Sequence, residues 1–112
     1  MELDSLMDVM GNSGRRSVVY VLNDMEADEI RTEDIERELW DRGYLDFEDA
    51  EEFELALHHN YLPKLEDYGV LTHEPETGKV SYNPDDVFEQ QVEEIRQLED
   101  DYGGQSFISQ SF

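Results

Sequence analysis

The feature that most restricts the fold is a change of period between residues 53 and 82. Leu55, Leu57, His58, Tyr61, Leu62 and Leu65 recur at helical spacing, so they define one broad apolar side of a helix. Gly69 then provides a helix stop. Residues 70–73 and 79–82 follow as two short runs with strand character, joined by "EPETG", in which Gly78 suits a positive φ. A helix that runs straight into a hairpin belongs to a mixed α+β domain.

The rest of the chain supplies helices. Leu3, Leu6, Met7 and Met10 predict a first helix, which "GNSG" ends. Val18, Val19, Leu22 and Met25 mark a second, from about Arg15 to Met25, with Ser13 as its expected cap. Ile30 lies in an acidic link and is expected to make a brief strand contact. Thr32 is expected to cap a third helix carrying Ile35, Leu39 and Trp40 and ending at Gly43, and Asp46 a fourth reaching Tyr68. Leu45 and Ala50 stand at the positions of a hydrophobic staple around that fourth cap. Pro63 lies inside the fourth helix, where its missing N–H and its clash with the His59 carbonyl predict a kink near Leu62. Asn83 and Pro84 predict the start of a fifth helix, with Phe88, Val92, Ile95, Leu98 and Tyr102 on one stripe. The expected division is residues 1–83, a C-terminal helix over 84–102, and a flexible Gly/Ser/Gln-rich tail over 103–112.

Charge decides which functions this scaffold can serve. The 112 residues include 30 Asp and Glu against 8 Lys and Arg, a formal charge of −22, with acids spread along the whole length. Self-repulsion at this density weakens a compact state, and salt screens it over about 3 Å at 1 M. An acidic coat adapted to a salty cytoplasm is therefore expected. The chain has no cysteine, which excludes disulfide and thiolate chemistry. Its start lacks the basic and apolar regions of a signal peptide, and no run reaches the length of a membrane span. A cytoplasmic location is expected, with no membrane partner.

No phosphate loop, nucleotide fingerprint or nucleophile elbow is present, so neither catalysis nor a cofactor is expected. His58 and His59 diverge by about 100° on a helix, so that pair predicts no metal site. "EDAEEFE" lacks the glycine and alternating donors of a calcium loop.

Two stretches, "LMDVMGNSGRRSVVYVL" and "ALHHNYLPKLEDYGVLTHEPETGKVSY", resemble a winged-helix family of halophilic archaea, related in plan to ArsR- and MarR-type regulators. The likeness rests on Gly11-Asn12, Arg15-Arg16, Leu62-Pro63-Lys64-Leu65 and Asp67-Tyr68-Gly69-Val70. The chain departs from the pattern at Glu52, where members often carry a base, and at His58 and Tyr61, where Tyr and His stand in the family. The resemblance implies a winged helix–turn–helix, mostly α, with a two-stranded wing and an added C-terminal helix. It also implies a small transcription regulator, in a haloarchaeon or its virus, that binds double-stranded DNA.

On that reading Asp49, Glu52, Ala56, His59, Asn60 and Pro63 face outward. His59 and Asn60 would read bases, since an asparagine amide can pair two-fold with adenine. Lys64, Lys79, Arg15 and Arg16 would hold the phosphate backbone. Seven of the eight cations lie within residues 1–83, which would allow a local positive strip. Phe88, Val92, Ile95, Leu98 and Tyr102 would pair two copies as a homodimer. The alternative is an acidic protein-interaction module on the same scaffold, which Glu52, Asp49 and the two phenylalanines of the tail favour.

Overall fold

The structure is a computed structural model that describes residues 1–26, 29–44 and 50–110, with side chains as far as Tyr102. The fold is α+β and mostly helical. In chain order the elements are α1 (Leu3–Met10), α2 (Ser13–Met25), β1 (Glu29–Arg31), α3 (Thr32–Asp41) and α4 (Ala50–Ala56). A π-helical turn (Leu57–Tyr61), α5 (Leu62–Asp67), β2 (Leu71–Glu74), β3 (Lys79–Tyr82) and α6 (Asp86–Gln110) complete it. No helix among the described residues is long and apolar enough to cross a membrane.

Helix α2 organises the core. Val18, Val19, Tyr20, Val21 and Leu22 are all buried, five consecutive positions on a helix. Such a run has no solvent face, so α2 must be covered on every side. Leu6, Val9 and Met10 of α1 cover part of it, and Ile35 and Leu39 of α3 another part. Leu57, Leu62 and Leu65 close a third, and Phe88 and Val92 of α6 complete the shell. Leu3 and Met7, expected on the apolar side of α1, point to solvent, and Val9 takes the inner position.

The hairpin extends into a three-stranded antiparallel sheet of order β1-β3-β2. Ile30 and His73 both lie opposite Val80, and Leu71 lies opposite Tyr82. Ile30, Val80 and Leu71 are buried and their neighbours along each strand are less so, the alternation expected of a sheet with one wet face. Gly78 has φ +74°, as the turn requires, and its carbonyl accepts from Thr32 N–H at 2.9 Å, tying the hairpin to the start of α3.

Several local expectations shift. Asn12, not Ser13, caps α2, accepting from Arg15 N–H at 2.9 Å. Thr32 is the first residue of α3 and not its cap. Asp85, not Asn83, caps α6 through Phe88 N–H at 2.7 Å. The expected Asp46 cap and the Leu45 half of its staple lie outside the described residues.

The fourth helix, expected to kink near Leu62, widens there into a π turn. Leu62 N–H bonds the Leu57 carbonyl five residues back, and α5 continues from there with Pro63 in its first turn. A wider turn removes the conflict between the proline ring and the preceding carbonyls, and a π turn is a known way to accommodate such a fault. The extra residue also rotates the face. Leu57, Leu62 and Leu65 point inward as expected, while Leu55 is 56% exposed and Phe53 packs on the core in its place.

Helix α6 is longer than expected and continues through part of the segment read as a flexible tail. Phe88 and Val92, expected in a dimer seam, are 2% and 0% exposed inside the monomer, and Ile95 packs beside them. They serve the shell around α2 and cannot meet a second copy. Leu98 and Tyr102, from the same stripe, remain open at 55% and 64%.

Candidate interaction face

The last turn of α1 leaves carbonyls without helical partners, and the next basic residues satisfy them. Arg15 is 6% exposed. Its Nε donates to the Val9 carbonyl at 2.7 Å, and its Nη2 to the Asp8 carbonyl at 2.6 Å. Its Nη1 donates to Asn60 Oδ1 at 3.1 Å. Arg16 donates to the Met10 carbonyl at 2.8 Å and grips Glu99 of α6 with two bonds, at 3.1 and 3.0 Å. The pair expected to hold phosphate therefore caps α1, and Arg15 is buried. A guanidinium suits this task because its fixed fork reaches several acceptors at once.

The Arg16–Glu99 bridge belongs to a wider joint. Tyr20 also donates to Glu99, at 2.6 Å. The hydrogen bond from Arg16 holds the Glu99 carboxyl below its ordinary range. Asp24 of α2 accepts from both Nη atoms of Arg96, at 2.6 and 2.8 Å, and from Arg42 at 2.7 Å. Arg96 and then Arg42 hold the Asp24 carboxyl low in the same way. The Arg96 guanidinium also lies 5.2 Å from the centre of the Tyr20 ring. Two arginine–carboxylate bridges thus fasten α6 to α2.

The other cations are held as well. Lys64 pairs with Asp8 at 3.0 Å, Lys79 with Glu29 at 3.4 Å, and Arg37 with Asp34 at 3.1 Å. Arg31 donates to the Thr77 carbonyl at 3.0 Å. Every one of the eight cationic side chains has a carboxylate or carbonyl partner. Asp8 accepts from Tyr68 as well as from Lys64, and these two bonds hold its carboxyl low.

The outward side of the fourth helix follows from this accounting. His59 and Asn60 are exposed, as expected. They border a shallow groove with Asp8, Pro63, Lys64 and Asp67, in which one cation meets two acids. The Asn60 carbonyl already accepts from Arg15, so one half of its adenine-reading edge is engaged inside the protein. Upstream, Glu51, Glu52, Glu54 and Leu55 are exposed on α4. Lys64, the cation beside His59 and Asn60, is thus already paired with Asp8. Asp49 lies outside the described residues.

Helices α3 and α4 frame a second cleft, lined by Glu33, Glu36, Arg37, Trp40, Phe53 and Glu54. At its edge Glu36, Glu54 and His58 offer donor atoms within 4.8 Å of one another. The adjacent His58 and His59 diverge on the helix, whereas here one of the donors comes from another helix, α3. Burial and then the nearby Glu54 push the Glu36 carboxyl above its ordinary range. Burial, followed by the charge of His58, holds the His73 imidazole low.

Residues 7–81 match the model of a domain of unknown function, DUF7344. The chain belongs to the DUF7344 family. No curated protein and no solved structure matches it. The DUF7344 match includes both ends of the α1–α2 corner and stops inside β3, so α6 lies beyond it. Even so, Arg16 within the DUF7344 region takes its carboxylate from Glu99 of α6.

Sequence reasoning missed the trio around His58 because its members span residues 36–58 on separate elements. It also took the double arginine for a surface feature, although the turn "GNSG" just before it, where α1 ends, was a signal for capping.

Proposed function

We propose that this chain is a winged-helix module that works by binding a protein partner, without gripping DNA phosphates on its own. The element order supports the winged-helix assignment: α2, β1, α3, the α4–α5 helix and the β2–β3 hairpin follow the plan of such a domain, with α1 and α6 added. The use of Arg15 and Arg16 inside the fold, with every other cation already paired at the surface or at a joint, carries the protein-binding reading. DNA affinity comes largely from Lys and Arg at phosphates. Here the helix that would enter a groove presents Glu51, Glu52 and Glu54. Such a surface repels a duplex and attracts a basic segment of another protein.

A second reading keeps DNA as the target, and the exposure of His59 and Asn60 favours it. Lys64 is also released easily, because an ion pair at the surface is worth only about 0–1 kcal/mol. On this reading cations shared between carboxylates and phosphates would bridge the two surfaces.

A photo-crosslinking residue placed at Glu52, and separately at His59, in the native host tests the two readings. The first expects protein adducts at Glu52 and no DNA adducts at either position. DNA adducts at His59, together with saturable duplex binding that His59→Ala weakens, would overturn it in favour of the second.

A further inference from the structure

We propose that Glu36, Glu54 and His58 bind a first-row divalent cation of the Zn2+ type, which clamps α3 to the helix that follows it. Three observations support the site. Glu54 and His58 are four residues apart at the junction of α4 and the π turn, a spacing that puts two side chains on one face. Glu36 reaches them from α3, and the three donor atoms lie within 4.8 Å of one another. Finally, Glu36 Oε1 is closed off from solvent and accepts no hydrogen bond.

That oxygen lies 3.8 Å from His58 Nε2. The gap is too long for a hydrogen bond. An ion about 2.0–2.2 Å from each atom would fill it after a small closure of the side chains. One oxygen of a half-buried carboxylate is thus closed to water with no hydrogen bond, which is costly, and a cation would satisfy it.

The donor set also selects the ion. Mg2+ and Ca2+ favour oxygen alone, whereas an imidazole with two carboxylates suits Zn2+ and its neighbours. The imidazole separates this trio from the many exposed carboxylates of the acidic coat. His73 stands beyond His58, with ring centroids 6.0 Å apart, and its Nε2 is likewise buried without a partner.

The proposal is independent of whether the module binds protein or DNA. Its consequence is mechanical: the ion would join α3 and α4 across the segment 45–49.

The test uses the full chain, stripped of metal by chelation, in about 1 M KCl so that diffuse attraction to the coat is screened. Zn2+ is titrated by calorimetry, and Co2+ is added as a spectroscopic probe. One saturable equivalent is expected for the native chain and for His59→Ala. His58→Ala and Glu36→Gln should each weaken binding by more than the roughly 10–100-fold typical of losing an outer-shell partner. Zn2+ should raise the melting temperature of the native chain and leave that of His58→Ala unchanged. Glu36→Gln removes a carboxylate that has no hydrogen bond at its buried oxygen and that stands beside Glu54, so its metal-free form should melt no lower than the native chain, which separates lost binding from lost folding. Identical isotherms for the native chain, His58→Ala and His59→Ala would overturn the proposal, as would equal affinity for Mg2+.

Discussion

Replacing Arg15 with methionine separates the two roles this residue could have. Methionine keeps an apolar stem of similar reach and removes all three donors that Arg15 uses. The Val9 and Asp8 carbonyls then lose charged donors at 2.7 and 2.6 Å in a site almost closed to water. A hydrogen bond from a charged group contributes about 1.5–3 kcal/mol. Taking the low end for each carbonyl, and little for the half-buried Asn60 contact, the loss is about 3 kcal/mol. Against a total stability of about 5–15 kcal/mol this is severe. At about 4–8 °C per kcal/mol for a chain of this size, the melting temperature should fall by about 12–24 °C. Far-UV circular dichroism during heating, at one fixed KCl concentration, reads the change. A urea titration should show a lower midpoint with an unchanged slope. A loss below about 1 kcal/mol would refute the capping argument, since it is smaller than the contribution of one charged hydrogen bond. Arg15 would then be available for an external ligand after all.

Phe88→Ala should destabilise the monomer by about 3–5 kcal/mol, while Leu98→Ala should stay within about 0.5 kcal/mol, both read by urea denaturation. Equal effects would show that α6 does not cover α2 as described. A Cβ on Gly14 would stand 2.3 Å from the Tyr61 hydroxyl and 2.8 Å from its ring, so Gly14→Ala should cost about 1–3 kcal/mol. In a Tyr61→Leu background most of that cost should vanish, and a double-mutant cycle showing simple additivity would contradict the contact. The lowered carboxyls of Asp24 and Glu99 set an acid limit. Their contribution is complete above the unfolded value of about 4 and disappears as pH falls through the lower folded values. Arg96→Ala should therefore flatten the fall of the melting temperature below about pH 4, and an unaltered acid slope would argue against the bridge.

The elements were legible because their signals are local. Gly69 and Gly78 adopt φ of +75° and +74°, and helix and hairpin divide where the period of apolar residues changes. Ile30 does pair as a strand, opposite Val80. Caps slipped by a residue or two because neighbouring positions offered chemically similar oxygens, Asn12 beside Ser13 and Asp85 beside Asn83. Leu55 was misplaced for a different reason. A wheel at constant pitch cannot anticipate a π turn, and one extra residue there moved everything upstream of it around the helix.

The candidate site was much less legible than the scaffold. His59 and Asn60 are exposed as their spacing indicates, but their surroundings are set by residues distant in the chain. Asn60 meets Arg15 from 45 positions away, Arg16 meets Glu99 from 83, and Arg96 meets Asp24 from 72. A cation in a sequence is only a charge, and whether it faces a ligand or a carbonyl depends on which helix end packs beside it.

The sequence alone determined the succession of helices and strands, because capping, glycine stops and apolar period act within a turn or two of backbone. It also determined the overall charge. Only tertiary packing decided where that charge is spent: five adjacent buried residues of α2 required cover from every side, and Arg15, Arg16, Arg42 and Arg96 lie at the joints that provide it. The same packing brought Glu36 to His58 and left the outward helix face acidic. Electrostatic pairing depends on distance in space, and that quantity exists only after the chain has folded.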